Sequence, residues 1–264
     1  MSLATARSES RIVFFLRHIT SISCFFNETM KWTLVKPFQG KPLRFRAAIT
    51  QMDEVGVKSI PIMGLVSFVI GIIMVLQTAY QLEKFGAVNY AASLAAVALT
   101  REMAPLLTAI VLAGRVSAAF TAELGTMLVT EEIMALEVMA ISPIAYLVVP
   151  RFIAMIVMVP CLTVLADVIG IIGGYSVGTL AIGIRSALYI HNTIDALLLK
   201  DIMSGLMKSV VFAMIIAMVG CYMGFVVRGG AEGVGKATMI SVVTSLISII
   251  LADCLFTAIF YLFL

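Results

Sequence analysis

Ile60 to Leu82 runs for 23 residues without an Asp, Glu, Lys or Arg. About 20 apolar residues in an α-helix cross the hydrocarbon of a bilayer. In that solvent each backbone N–H and C=O must be satisfied inside the segment, which leaves helix as the structure for a single run. Four more runs follow: Ala87 to Gly114, interrupted only by Arg101-Glu102; Phe152 to Ile184, by Asp167; Ile202 to Val227, by Lys208; and Ala237 to Leu264, by Asp253. The joins are a tight turn at Glu83-Lys84-Phe85-Gly86, a charged connection from Arg115 to Arg151, a polar one from Arg185 to Lys200, and a Gly-rich loop from Arg228 to Lys236. The expected fold is an all-α membrane protein with five transmembrane helices. Only 12% of the 264 residues are charged and 61% are apolar, whereas a soluble domain is about a quarter charged. There is no room beside the spans for a soluble domain of ordinary size.

Residues 1–59 form a separate cytoplasmic or interfacial region, and 60–264 the five-span domain. The first part holds nine of the 18 Lys and Arg. Arg11 to Met30 is apolar but broken by Arg17, His18 and Glu28, which suits an interfacial amphipathic helix better than a span. The same arginines interrupt what would be the apolar core of a cleavable signal peptide. From Leu43 to Lys58, Phe45, Ile49, Met52 and Val55 recur at helical spacing, predicting a second amphipathic helix. With the N-terminus inside, cytoplasmic segments carry thirteen Lys/Arg and outer loops three. This bias places the Arg115–Arg151 connection in the cytoplasm and the C-terminus outside.

A charge in hydrocarbon costs a few kcal/mol, so Arg101 and Glu102 need a partner or a wet cavity. Adjacent helical residues point about 100° apart, so the two face different neighbours. Either they line a substrate cavity or they form a structural ion pair between helices. Met74, Gln77, Gln81, Leu82 and Phe85 close the first span, as a cavity wall or as ordinary interfacial residues. Gly170, Gly174 and Gly178 form a GxxxGxxxG ridge, and Gly220 and Gly224 repeat the spacing; small residues four apart allow close helix packing. Asp167 and Asp253 are single carboxylates, weak candidates for proton coupling. Gly230 to Ala237 nearly matches a phosphate-binding loop. It has Ala237 in place of the metal-binding hydroxyl, and a span where a strand should precede. Cys24, Cys161, Cys221 and Cys254 lack metal or redox spacing and read as small buried apolar residues. No cofactor or metal is expected, and a net charge of +3 gives no reason to expect nucleic acid.

The run LAGRVSAAFTAELGTMLVTEEIMALEVMAISPIAYLVVPR, Leu112 to Arg151, resembles the signature region of the MlaE/YrbE permease family. The likeness extends to LTREMAP from Leu99, IGIIGGYSVG from Ile169, KSVVFA from Lys208 and GVGKAT before the last span, and covers roughly residues 55–264. It implies a membrane subunit of an ATP-binding-cassette transporter that moves phospholipid between the bacterial inner membrane and the outer envelope, maintaining outer-membrane lipid asymmetry. The implied partners are a second copy in a homodimer, a cytoplasmic ATPase, a periplasmic MCE-domain protein and a small STAS-domain protein. The implied lipid cavity involves Met74, Gln81, Leu82, Phe85, Arg101 and Glu102. The implied ATPase-coupling helix spans about Ala122 to Met139, with Glu123, Gly125, Thr130, Glu131, Glu132 and Glu137. The chain has no ATPase motif, so hydrolysis would belong to the partner and this subunit would not be an enzyme. Two other readings stand beside this one. An ion- or proton-coupled secondary transporter would use Glu102, Asp167 or Asp253. A passive envelope anchor would tolerate loss of Arg101 or Glu102.

Overall fold

The computed structural model describes residues 22–35 and 44–263. The first half of the Arg11–Met30 segment lies outside them. Residues 22–35 form α1, ending in a wide π turn over Lys31–Val35. Phe25 of α1 meets the rings of Tyr222 and Phe225 at 5.9 and 5.7 Å, so this part of the segment packs on a span. The other helices are α2 (Phe45–Val55), α3 (Ile60–Glu83), α4 (Val88–Val129), α5 (Glu132–Val138), α6 (Ile144–Leu180), α7 (Ser186–Ala196), α8 (Leu199–Phe225) and α9 (Gly230–Phe263). Five of them, the last reached through Gly230, are long and apolar enough to cross a membrane.

Residue pairing fixes the arrangement. Gly56 lies against Met158, Gly71 against Gly170 and Gly174 against Val75, so α3 and α6 run parallel. Gly205 lies against Thr100, Gly220 against Ser117 and Gly224 against Leu124, so α4 and α8 also run parallel. α9 is antiparallel to α4: the Ser117 hydroxyl lies 2.7 Å from that of Ser241, while Thr257, later in α9, lies 3.3 Å from Glu102, earlier in α4. One end of the bundle therefore carries α5, the other α7. Leu112, Leu124, Phe152, Met155, Phe212 and Ile216 are fully buried where α4, α6 and α8 converge.

Several expected boundaries shift. The second span does not end at Gly114; α4 continues to Val129 through wide turns at Leu99–Met103 and Ala113–Ser117. Its last turns keep an apolar face, with Phe120, Thr121, Leu124 and Gly125 buried. Ala122 to Met139 is accordingly two helices. They break at Glu131, whose φ of 62° is left-handed, a conformation that costs an L-residue about 1–2 kcal/mol. The Gly-rich stretch from Gly230 is the opening of α9, because the turn itself needs only Gly229 and Gly230 at φ 92° and 67°. An ion pair of 2.6 Å between Glu232 and Lys236, one helical turn apart, supports that start. The Arg185–Lys200 connection contains α7, tied down by the buried Tyr189 and Thr193. Cys221 is buried, but Cys24, Cys161 and Cys254 are on the surface of the chain, where an apolar thiol can face lipid.

The glycine ridge packs within the chain. Gly170 faces Leu99, Gly174 faces Val75, and Gly178 faces the Tyr189 ring. The closest backbone approach involves Gly71 and Gly173: a Cβ on Gly71 would overlap the carbonyl oxygen of Gly170, and one on Gly173 that of Phe68. Backbone cannot yield as a side chain can. Gly71→Ala is therefore expected to destabilise the fold by about 1–3 kcal/mol or more, as overpacking does. Gly235→Ala, with open space around it, should be neutral or stabilising by up to about 1 kcal/mol. Thermal unfolding of both variants in mild detergent checks the contrast.

Candidate functional site

Pro105 is the second residue of the helical segment Ala104–Leu112. Having no N–H, it cannot bond the carbonyl four residues back, at Arg101. The chain absorbs the defect in the wide turn Leu99–Met103, which carries Arg101 and Glu102. Such turns rotate the faces on either side of them. Glu102 is thereby directed at α8 and α9, and Arg101 toward the start of α8, where it lies 3.9 Å from Asp201.

Lys208 is fully buried, and its ammonium is the centre of the polar cluster. It donates to Glu102 Oε2 and, at 2.8 Å, to Thr257 Oγ1. It also forms an ion pair of 2.9 Å with Asp253 Oδ1, without the alignment of a hydrogen bond. The Thr257 hydroxyl lies 3.3 Å from Glu102 Oε2. A single cation thus joins α4, α8 and α9 in the half of the bundle nearer α7. This is the structural ion pair that stood as one reading of Glu102, enlarged by two residues. Lys208 carried no weight in the sequence analysis, and Asp253 counted as isolated. The available signal was a lone cation, Lys208, in the fourth span and a carboxylate in each of the second and fifth, Glu102 and Asp253, a pattern that asks for pairing in hydrocarbon. Asp167 is buried in α6, and its Oδ1 meets no hydrogen-bond partner among the described residues.

The other expected cavity residues do not gather around Glu102. Met74 lines a cavity of about 10 Å³ with Val75, Ala95, Leu99, Gly174 and Tyr189, which is room for about one water. Gln81 and Phe85 are exposed at the end of α3, and Leu82 is half-buried. Larger cavities lie elsewhere. One of about 600 Å³ opens between α1 and the α8/α9 pair, with Phe26, Met214, Met218 and Thr244 in its walls. One of about 240 Å³ lies between α6 and α7.

At the opposite end, buried Arg151 of α6 holds the last turns of α4. Its Nη2 donates to Glu123 at 2.8 Å, its Nη1 to the Leu147 carbonyl at 2.9 Å, and its guanidinium lies 5.5 Å from the Phe120 ring centre. Arg115 donates to Ser59 Oγ, linking α4 to the foot of α3. Thr130 donates to the Thr126 carbonyl at 3.0 Å and lies 3.1 Å from Glu132 Oε1. Gly125 is buried against Val227 and Val234, so it serves packing. Glu131, Glu132 and Glu137 are exposed on and beside α5. Met134, Val138 and Met139 are exposed with them, Val138 to 87%. Acidic and large apolar side chains thus share the outer face of one short helix, whose Ile133 and Leu136 are buried against the core.

The family described as Permease MlaE matches residues 48–259. A probable ABC transporter permease protein of Rickettsia typhi is 39% identical over 229 residues, covering 87% of each chain. One from Synechocystis is 40% identical over 208 residues, covering 79% of each. The chloroplastic protein Trigalactosyldiacylglycerol 1 of Arabidopsis thaliana is 34% identical over 228 residues, covering 86% of this chain and 65% of that protein.

Losing Lys208 would strand Glu102 and Asp253 together without a cation. Breaking a buried ion cluster from one side costs about 3–5 kcal/mol, whereas neutralising every member can be nearly free. Lys208→Met is therefore expected to lower stability by about that amount. The triple variant Lys208→Met, Glu102→Gln, Asp253→Asn should recover most of the loss. Thermal unfolding of the purified protein reads both.

Proposed function

This chain belongs to the MlaE permease family, and from that premise we propose that it is the phospholipid-moving subunit of an ABC transporter, working as a homodimer driven by a separate cytoplasmic ATPase. That it is a multi-pass permease subunit of an ABC transporter follows from the family and the five spans. The rest is inferred from physical features.

The observation that carries the ATPase reading is α5. A helix of seven residues, Glu132–Val138, exposes Met134, Val138 and Met139 together with Glu131, Glu132 and Glu137. Apolar side chains rimmed by one sign of charge suit a protein partner with a basic groove. α5 hangs between the last turns of α4 and the start of α6, which Arg151 and Glu123 tie together. A push on α5 thus reaches two spans at once. In the orientation with more Lys and Arg inside, this end faces the cytoplasm, α7 and the C-terminus face the periplasm, and the membrane is the bacterial inner membrane.

A lipid cargo is supported by the name of the Arabidopsis relative, which is that of a glycerolipid, and by the outer end of α3. Gln77 and Gln81 are exposed there among apolar residues, beside Tyr80 and Phe85. Polar side chains turned toward acyl chains are unfavourable, so a cover is needed. A single copy offers only about 10 Å³ beside Met74, far below a lipid's volume. A second copy facing α3 across a chamber would supply both wall and cover. A periplasmic MCE-domain protein would receive or deliver the lipid at that mouth, and a STAS-domain protein would bind the ATPase. Glu102 and Asp253 are engaged by Lys208, which leaves them poorly placed to carry ions and disfavours the secondary-transporter reading.

Reversing the charge of α5 with Glu131→Lys and Glu132→Lys is expected to weaken ATPase association at least tenfold, in the range of lost charge pairs at a rim. The bundle should fold normally, because both side chains are exposed. Co-purification measures the first outcome and thermal unfolding the second. ATPase recovery at the wild-type level would remove α5 as the docking element.

A further inference from the structure

A cavity of about 270 Å³ opens at the α5 end, where α2 meets the start of α6. Its polar wall is Arg44, Thr50, Gln51, Tyr146 and Arg151. The Arg44 guanidinium is stacked 3.6 Å from the centre of the Tyr146 ring, which holds a flexible cation in place. Arg151 is buried. Two of its nitrogens are used, Nη2 on Glu123 and Nη1 on the Leu147 carbonyl, but its buried Nε has no acceptor among the described residues. An unmet donor on a buried guanidinium is unfavourable, and an anion is its strongest acceptor. Glu123 offsets one of the two charges, so the pocket keeps one net positive charge.

The location says where the anion comes from. Ala47 and Gln51, four residues apart, lie on one face of α2, and Arg44, the residue just before the helix, continues that face. Phe45 and Ile49, on the neighbouring face, are 66% and 64% exposed. In a chain that spans a bilayer, an amphipathic helix with such side chains rests at the boundary of acyl chains and headgroups. The pocket then opens at headgroup depth. We propose that it binds the phosphate of an anionic phospholipid in the leaflet on the α5 side. The phosphate would lie against the Arg44 guanidinium and the positive field of Arg151 and fasten α2 to the root of α6, beside the Arg151–Glu123 bridge that steadies α5. The site goes beyond the transport reading and does not depend on it.

The test uses the full chain purified in neutral detergent and native mass spectrometry with added phosphatidylglycerol or phosphatidylcholine. Arg44→Gln and Gln51→Leu are the informative variants, because both sit on the pocket wall and outside the core. Phosphatidylglycerol should bind about tenfold more tightly than phosphatidylcholine, and Arg44→Gln should remove most of that preference. Gln51→Leu should weaken it severalfold, with thermal unfolding of the lipid-free variants unchanged. Equal affinity in wild type and both variants, or equal affinity for the two lipids, would overturn the site. Displacement of phosphatidylglycerol by an equal concentration of inorganic phosphate would overturn the lipid as its ligand. Variants that keep phosphatidylglycerol but lose a co-purifying ATPase would assign the pocket to a protein contact instead.

Discussion

Lys208 is fully buried, and its charge must be answered by protein. Glu102, Asp253 and Thr257 answer it from two other spans. Because an unpaired buried charge is so costly, that cluster fixes the rotation of α4, α8 and α9 about their own axes, which apolar packing alone leaves loosely defined. Membrane helices gain little from burying apolar side chains against one another, so a few polar contacts carry unusual weight. The hydroxyls of Ser117, Ser241 and Ser245 repeat the device deeper in the bundle, joining α4 to α9. Thr121, donating at 2.9 Å to the Gly220 carbonyl, joins α4 to α8.

The two ends of the bundle do different work. In the half nearer α7, Lys208 is buried and paired with Glu102 and Asp253, and glycine contacts lock α3 to α6. Near α5, charges and large apolar groups are exposed, and the chain breaks at a left-handed Glu131. Arg151 ties the start of α6 to α4, and Arg115 ties α4 to the foot of α3.

Much of this was legible in the residues. The five spans follow from apolar length with at most two charges in each run, and α3 matches its predicted run to within a residue. The family likeness over Leu112–Arg151 agrees with the match over residues 48–259. Span ends were harder, because a helix leaving the membrane need not stop there: α4 keeps an apolar face through Gly125, and α9 begins among glycines. The Lys208 cluster was missed because Glu102, Lys208 and Asp253 lie in separate spans, and their depths match only once α4 and α8 are known to run parallel with α9 opposed. In the sequence Arg151 reads as the end of a charged connection and Glu123 as part of the implied coupling helix; α4 and α6 bring them together as an ion pair. The proposed cavity wall remains split in one copy, with Met74 walled in, Gln81 and Phe85 exposed, and Glu102 turned to Lys208.

The central claim is that this subunit is moved by an engine it does not contain. Mild-detergent isolation of the tagged chain from its native membranes, with mass determination of the intact assembly, tests it most directly. The account predicts two copies of this chain carrying two copies of an ATPase. A stable, homogeneous species containing this chain alone would contradict it, and would return attention to Asp167 as the one buried carboxylate without a partner among the described residues.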